Sequence, residues 1–198
     1  MLSEETTLLK IYSLFVLADG KWTPSIKENL DEIAKSLKVN ENEANEIYGD
    51  SRASVWSSLP DVNLSDDYSF EVISEIEDVL NMGPFWLRDT SNSKSYKSER
   101  ANVLWNMVLL GYDDGKYSGP EKKVIEHLAI KWKIKPIILT EFMDTAETLK
   151  MLERQKDWIK TTQQEYDEIS KQLEIVDQNI KTMLDNARIT IFGVNDII

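Results

Sequence analysis

The sequence contains one pattern twice, at an offset of 95 positions, and this repeat most constrains what the chain can fold into. In each copy an amphipathic segment ends at an Asp-Gly pair, Asp19-Gly20 in the first and Asp114-Gly115 in the second. When the pairs are aligned, positions 19, 20, 21, 27, 34 and 38 of the first copy are identical to their counterparts. Because the apolar positions also correspond, we expect two equivalent helical hairpins, residues 5–58 and 97–150, stacked into one bundle.

Apolar residues recur at helical spacing through residues 1–150, which predicts about seven helices. Thr23 and Ser118, each followed closely by a proline, are typical of helix starts, and the Asp-Gly pairs are typical of helix ends. Gly49 lies inside the third predicted helix and favours a break there. The prediction is an all-α domain, a compact bundle of about seven helices with an internal two-fold repeat.

A long amphipathic helix is predicted after the body, beginning at Pro136 and continuing to about Asn186. Its second half has a seven-residue apolar rhythm, as a coiled-coil seam requires. The first series of seam positions is Leu152, Ile159, Tyr166, Leu173, Ile180 and Ala187. Since one helix cannot bury such a stripe alone, we expect residues 151–187 to pair with a second copy, fold back on the body, or meet a partner.

The last residues, 188–198, are rich in strand-forming side chains and predict a short strand-like tail. Ile191-Phe192-Gly193 is similar to the first strand that enters a phosphate-binding loop. The next glycine of that pattern would fall at position 198, which is Ile198. Two interpretations remain open: an accidental similarity, or the N-terminal regulatory region of a larger P-loop nucleotide-hydrolysing protein.

Composition and charge exclude several classes of function. The formal net charge is −12, so a nucleic-acid partner is not expected. The chain has no cysteine and a single histidine, His127, which excludes thiolate and multi-histidine metal sites within one chain. No apolar run is long enough for direct membrane insertion, and the first 20 residues do not resemble a signal peptide. We expect a soluble cytoplasmic protein.

The two Asp-Gly motifs resemble those of the TerB-like (tellurite-resistance) family. The residues that carry the resemblance are Leu17-Ala18-Asp19-Gly20-Lys21 in the first copy, and Tyr112-Asp113-Asp114-Gly115 with Glu121 in the second. The resemblance implies a helical bundle, suspected divalent-cation binding near the motifs, and a role in stress response or in membrane-linked complexes. The first copy departs from the pattern because Ile26 stands where the second has Glu121. Two symmetric cation sites are therefore not expected.

The candidate metal ligands are the carboxylates near the two Asp-Gly pairs: Asp19, Asp113, Asp114 and Glu121. Oxygen ligands around a tight turn suit Mg²⁺ or Ca²⁺. A structural interpretation competes with this one, because Ser118 and Glu121 have the spacing of a capping box at a helix start.

The candidate partner-binding residues are aromatic or apolar side chains on predicted helices and on the loop before the second copy: Trp86, Trp158, Tyr166, Leu173 and Ile180. No serine or cysteine lies in a recognisable nucleophile motif, and a lone His127 on a helix is more often structural than catalytic. The sequence therefore predicts a non-enzymatic interaction or scaffold module. Its partner would be another protein, or a second copy that binds through the long C-terminal helix.

Overall fold

The computed structural model describes residues 3–56, 67–88, 96–112, 117–162 and 166–194, and within these ranges the chain forms nine α-helices and no strand. The helices are α1 (Glu4–Phe15), α2 (Pro24–Ser36), α3 (Glu41–Trp56), α4 (Ser69–Met82), α5 (Phe85–Arg88), α6 (Lys97–Gly111), α7 (Gly119–Lys131), α8 (Pro136–Thr161) and α9 (Tyr166–Gly193). The prediction of an all-α bundle is confirmed for this part of the chain. The four-residue helix α5 was not expected.

Two helices, α1 and α6, form the centre of the bundle. Helix α1 packs against α2, α3, α4 and α6, and Leu9, Ile11, Leu14 and Phe15 are fully buried there. Helix α6 packs against α1, α7, α8 and α9. A helix enclosed on most sides needs apolar residues around most of its circumference. Both helices meet this requirement, except that α6 keeps one polar stripe along its length.

One helix from each copy of the sequence pattern, α2 from the first and α7 from the second, has the same local structure from start to end. Helices α2 and α7 each contain 13 residues and begin after a side chain that caps the helix, Thr23 in one and Ser118 in the other. Each is followed by a lysine of positive φ, Lys38 at 61° and Lys133 at 55°. The residue after each lysine donates a backbone hydrogen bond of 2.9 Å to the carbonyl five positions earlier. Helices α2 and α7 therefore span the same aligned positions and end in the same left-handed turn.

The predicted break at Gly49 is wrong. Helix α3 runs from Glu41 to Trp56 without interruption. A Cβ added at Gly49 would meet no atom within 4 Å, so the glycine lies on a side of the helix that no other element approaches closely. The weak helix propensity of one glycine is outweighed by the burial of Ala44, Ile47 and Val55 against the core.

The prediction of one continuous helix from Pro136 to about Asn186 is also wrong. Helix α8 ends at Thr161, Thr162 has an extended backbone with ψ of 147°, and α9 begins at Tyr166 and packs along α8. The expected domain boundary at residue 150 falls inside α8. Of the three ways to bury the apolar stripe, the chain uses the fold back on its own body.

The strand-like tail is replaced by helix over residues 188–193, which form the end of α9. Thr190 and Ile191 are buried there, and the Thr190 hydroxyl donates a 2.6 Å hydrogen bond to the Glu141 carboxylate on α8. The β-branched residues favour a strand locally, but packing against α6 and α8 overrides that preference. The strand that suggested a phosphate-binding loop is therefore absent from this segment, and residues 195–198 lie outside the described ranges.

Three polar side-chain contacts join α7 to α4 and to Asp67, which precedes α4. The Glu77 carboxylate on α4 accepts hydrogen bonds from Lys131 and, at 2.8 Å, from His127. Lys123 donates to Asp67 just before α4. The three α7 residues are spaced four apart and so share one face of the helix. His127 thus has a structural partner at the edge of the core.

Acidification is expected to weaken this contact between α4 and α7. The hydrogen bond from Lys123 lowers the pKa of Asp67 from 3.8 to about 2. Partial burial acts to raise the pKa of Glu77, but the hydrogen bonds from Lys131 and His127 outweigh it and keep the pKa below its usual 4.5. A carboxyl whose pKa is lower in the folded state contributes stability that is present above the unfolded pKa and is lost as pH falls through the folded pKa.

We therefore expect the urea midpoint to fall as pH is lowered from about 5 towards 2. The double variant Asp67→Asn/Glu77→Gln should have a lower midpoint at pH 7 and a flatter dependence on acid. Circular dichroism at a series of pH values measures both quantities. If the urea midpoints of the wild type and the double variant fell in parallel as pH is lowered, these carboxyls would not account for the acid sensitivity.

Candidate partner-binding groove

One face of α6 is left open between the helices on its two sides. Helices α1 and α2 line one side, and α8 and α9 line the other. The stripe of α6 that faces this opening consists of Glu99, Asn102, Asn106 and Leu109, which are exposed or half-buried. These residues are three or four positions apart, so they follow a single line along the helix. The stripe forms the floor of an elongated depression.

Three adjoining clefts make up this depression. A cleft of about 350 Å³ lies between α2, α6, α8 and α9, and one of about 270 Å³ lies between α1, α2, α5 and α6. These two share Ile33 and Asn106. A third cleft of about 360 Å³ lies between α6 and the end of α9, and it shares Glu99 and Asn102 with the second. The three clefts therefore adjoin one another along α6.

We call this surface the α6 groove. The residues that line it include Glu4, Glu32, Ile33, Leu37, Trp86, Ser98, Glu99, Asn102, Asn106, Leu109, Tyr112, Lys150, Glu153, Ile180, Leu184, Arg188 and Phe192. From Ser98 to Tyr112 the floor covers about four turns of helix, a length of about 21 Å.

The walls of the groove are mainly apolar. Ile33 and Leu37 on α2 face the groove from one side, and Ile180 and Leu184 on α9 face it from the other. All four are only partly buried and pack against the core from its edge. Phe192, at the end of α9, is 71% exposed. Exposed apolar surface that is concentrated in a concave region marks an interaction site more strongly than the same residues scattered singly.

A buried tyrosine supports the centre of the floor. The Asn106 side chain donates a 3.2 Å hydrogen bond to the Tyr12 hydroxyl. Burial raises the pKa of Tyr12 to about 12, so its phenol stays protonated at neutral pH. The contact holds the Asn106 amide in place on the floor, where the residue lines the first and second clefts.

Carboxylates outnumber basic side chains at the rim. Glu4, Glu32, Glu99 and Glu153 line the clefts, and the basic residues there are Lys150 and Arg188. Both basic groups have nearby acids, because Lys150 lies 3.2 Å from Glu153 and Arg188 lies 3.2 Å from Asp185 on its own helix. The electrostatic field in the groove is therefore negative, like that of the chain as a whole.

The structure brings together two of the five residues predicted to bind a partner. Trp86, on α5, lines the second cleft, and Ile180, on α9, lines the first. Trp158 is 64% exposed and Tyr166 is 83% exposed, near the outer end of the α8–α9 hairpin. Leu173 is half-buried on α9.

Sequence reasoning missed the floor of the groove. Asn102 and Asn106 are ordinary polar residues on an amphipathic helix, and their spacing is typical of any face turned to solvent. A weak signal was the apolar run from Val103 to Leu110, which Asn102 precedes and Asn106 interrupts. The walls that turn this stripe into a groove include residues that are distant along the chain, since Ile33 and Leu184 each lie more than 60 positions from Asn106.

The predicted metal ligands have structural partners where the structure describes them. The Asp19 carboxylate accepts hydrogen bonds from the backbone N–H and the ammonium of Lys21, at 3.1 and 2.7 Å. Glu121 accepts a 2.9 Å hydrogen bond from the Ser118 N–H, and its own N–H donates to the Ser118 hydroxyl, which completes the capping box.

Asp113 and Asp114 lie outside the described residues. Among the residues with described positions, no three His, Asp or Glu side chains are grouped so that they could hold a metal ion. Within the same ranges, no helix is both long enough and apolar enough to cross a lipid bilayer.

Comparisons with protein-family models, with curated proteins and with solved structures find no match to this chain. The resemblance to the TerB-like family therefore stays a prediction from the sequence motifs. The function has to be argued from the geometry of the α6 groove.

Proposed function

We propose that this chain is a non-enzymatic protein-interaction module of TerB-like type, which binds a segment of another protein in the α6 groove. The observation that carries the proposal is the groove itself: three adjoining clefts follow about four turns of α6, and two of the predicted partner residues, Trp86 and Ile180, line them. An open groove of this length is more suited to a peptide segment than to a small molecule, which typically occupies one enclosed pocket.

The other parts of the proposal rest on the sequence. The resemblance supports a role in stress response and weak binding of Mg²⁺ or Ca²⁺ by Asp19, Asp113, Asp114 and Glu121, and the composition supports a cytoplasmic location. The exposed Trp158 and Tyr166 make the outer end of the α8–α9 hairpin a second contact surface, for a partner or for a second copy.

Site-directed photocrosslinking tests the interaction role of the groove. A photoreactive phenylalanine is placed at Asn102, on the exposed floor, and the labelled full chain is irradiated in extract of the cells that make it. The control position is Asn179, which is exposed on α9 and does not line the groove. We expect discrete protein adducts from position 102 that position 179 does not form.

Circular dichroism confirms that both labelled proteins are folded. Adducts of the same sizes and yields from both positions, or adducts from neither, would contradict the proposed function.

A further inference from the structure

We infer that the occupant of the α6 groove is an amphipathic helix whose apolar stripe is flanked by basic side chains. This inference rests on the proposed function and specifies the class of partner. It combines the arrangement of the apolar walls, the hydrogen-bonding state of the surrounding helices, and the charges at the rim.

The walls present apolar side chains at the spacing of a helix turn. Ile33 and Leu37 are four positions apart on α2, and Ile180 and Leu184 are four positions apart on α9. Each pair therefore projects two side chains about 6 Å apart along its helix axis. Ile33 lines the same cleft as Ile180 and Leu184, and Leu37 lines the adjoining cleft. A partner helix with apolar residues one turn apart can pack against these side chains along the 21 Å floor, in the manner of a helix in a groove.

The backbone of the groove offers an extended peptide few hydrogen bonds. Every wall and the floor are helices, whose N–H and C=O groups are paired inside each helix except at the ends. An extended peptide would leave most of its own backbone groups unpaired against Ile33, Leu37 and Leu184, at a cost for each group. A helical peptide satisfies these groups internally. The polar side chains of Asn102 and Asn106 then remain for a few specific contacts.

The rim selects for positive charge. Glu4, Glu32 and Glu99 are exposed and form no ion pair with any residue in the described ranges. Lysine and arginine side chains on the edges of a bound helix are long enough to reach them while the apolar stripe stays in the groove. The net charge of −12 attracts a basic helix over a longer range and repels an acidic one.

Three fluorescein-labelled synthetic peptides of about 18 residues test the inference. They share one leucine stripe at helical spacing and carry lysine, glutamine or glutamate at every flanking position. Anisotropy titrations with the full chain should show saturable binding of the lysine peptide and much weaker binding of the other two. The floor variant Asn102→Arg should abolish this binding, whereas the matched variant Asn179→Arg, outside the groove, should leave it unchanged.

A pair of charge-reversal variants separates the local field of the rim from the overall charge. Glu32→Lys/Glu99→Lys removes two rim carboxylates, and Glu168→Lys/Glu174→Lys makes the same change of net charge on exposed positions of α9. Glu99 and Glu168 both lie in the first turn of their helices, so the effects on helix stability are also matched. We expect about tenfold weaker binding of the lysine peptide by the rim variant, and a change of at most about twofold for the control.

The outcomes distinguish the inference from the proposed function. Equal binding of the lysine and glutamine peptides, or equal effects of the two double variants, would overturn the inference. If Asn102→Arg still blocked the binding of the peptides in that case, the groove would remain an interaction site for a helix that is not selected by its positive charge. Absence of Asn102-dependent binding by all three peptides would also overturn the inference, and the photocrosslinking result at Asn102 would then decide the proposed function separately.

Discussion

Replacement of Trp132 with alanine is expected to lower the free energy of unfolding by about 3–5 kcal/mol, the usual cost of removing a large buried aromatic side chain. Trp132 lies at the end of α7 and is 1% exposed. Its indole N–H donates a 2.8 Å hydrogen bond to the Leu87 carbonyl on α5. The variant would therefore lose both the packing of the core and one of the hydrogen bonds that hold α5, with Trp86, at the groove. Urea denaturation followed by circular dichroism measures the change.

Two comparisons identify the source of this loss. Trp132→Phe keeps most of the ring but leaves the Leu87 carbonyl without its donor, so an intermediate loss of about 1–3 kcal/mol is expected. Trp158→Ala removes the same side chain from a position that is 64% exposed. We expect this change to stay within about 0.5 kcal/mol. Equal losses of unfolding free energy for Trp132→Ala and Trp158→Ala would contradict the buried position of Trp132.

Alanine at Gly20 is expected to destabilise the protein by about 2–4 kcal/mol, for two separate reasons. Gly20 has a φ of +76°, which is costly for any residue that carries a Cβ. A Cβ at this position would also lie 2.7 Å from the ring of Tyr68. Tyr68 is buried, and its N–H donates a 2.8 Å hydrogen bond to the Ala18 carbonyl, so the ring has little room to move away.

Gly49→Ala is the matched control, with the opposite expected sign. Gly49 lies within α3, and a Cβ there would contact nothing within 4 Å. Alanine has the higher helix propensity, so the variant should be more stable by about 0.5–1 kcal/mol. Urea midpoints of both variants provide the test. A Gly20→Ala protein as stable as the wild type would contradict the close packing of this turn under Tyr68.

The starts of α2 and α7 were predicted well because their causes are local. The Thr23 hydroxyl caps α2 and the Ser118 hydroxyl caps α7, each through the backbone N–H three residues later. The Ser118 and Glu121 spacing correctly predicted a capping box. Helix α5 was missed because its four residues are too few to show a period.

Longer-range features were predicted less well. The apolar rhythm of residues 151–187 was identified, but the same rhythm is compatible with a second copy, a partner or the chain's own body. The structure has Val176 and Ala187 buried within the chain, and Ile180 packed against the edge of the core. In the same way, Ile189 and Thr190 favour a strand when considered locally, yet they belong to α9 because that helix packs against α6 and α8.

For the groove, too, some residues could be selected from the sequence, whereas their arrangement could not. Trp86 and Ile180 could be selected from the sequence because large apolar residues near polar ones are common at interfaces. Nothing in the sequence indicated that they line adjoining clefts, since that depends on where α5 and α9 pack relative to α6. Two of the carboxylates proposed as metal ligands have local partners: Asp19 lies at a turn and accepts from Lys21, and Glu121 lies in the first turn of α7 and completes its capping box.

The sequence by itself determined the helical class of this protein, the starts of α2 and α7 and its acidic surface. These features depend on hydrogen bonds and side-chain periods that extend over only a few residues. Only the tertiary structure decided that α9 returns along α8 and that the polar stripe of α6 lies at the bottom of a groove. Such choices minimise exposed apolar area over the whole chain, and many distant pairings compete for the same stripe until the complete bundle is assembled.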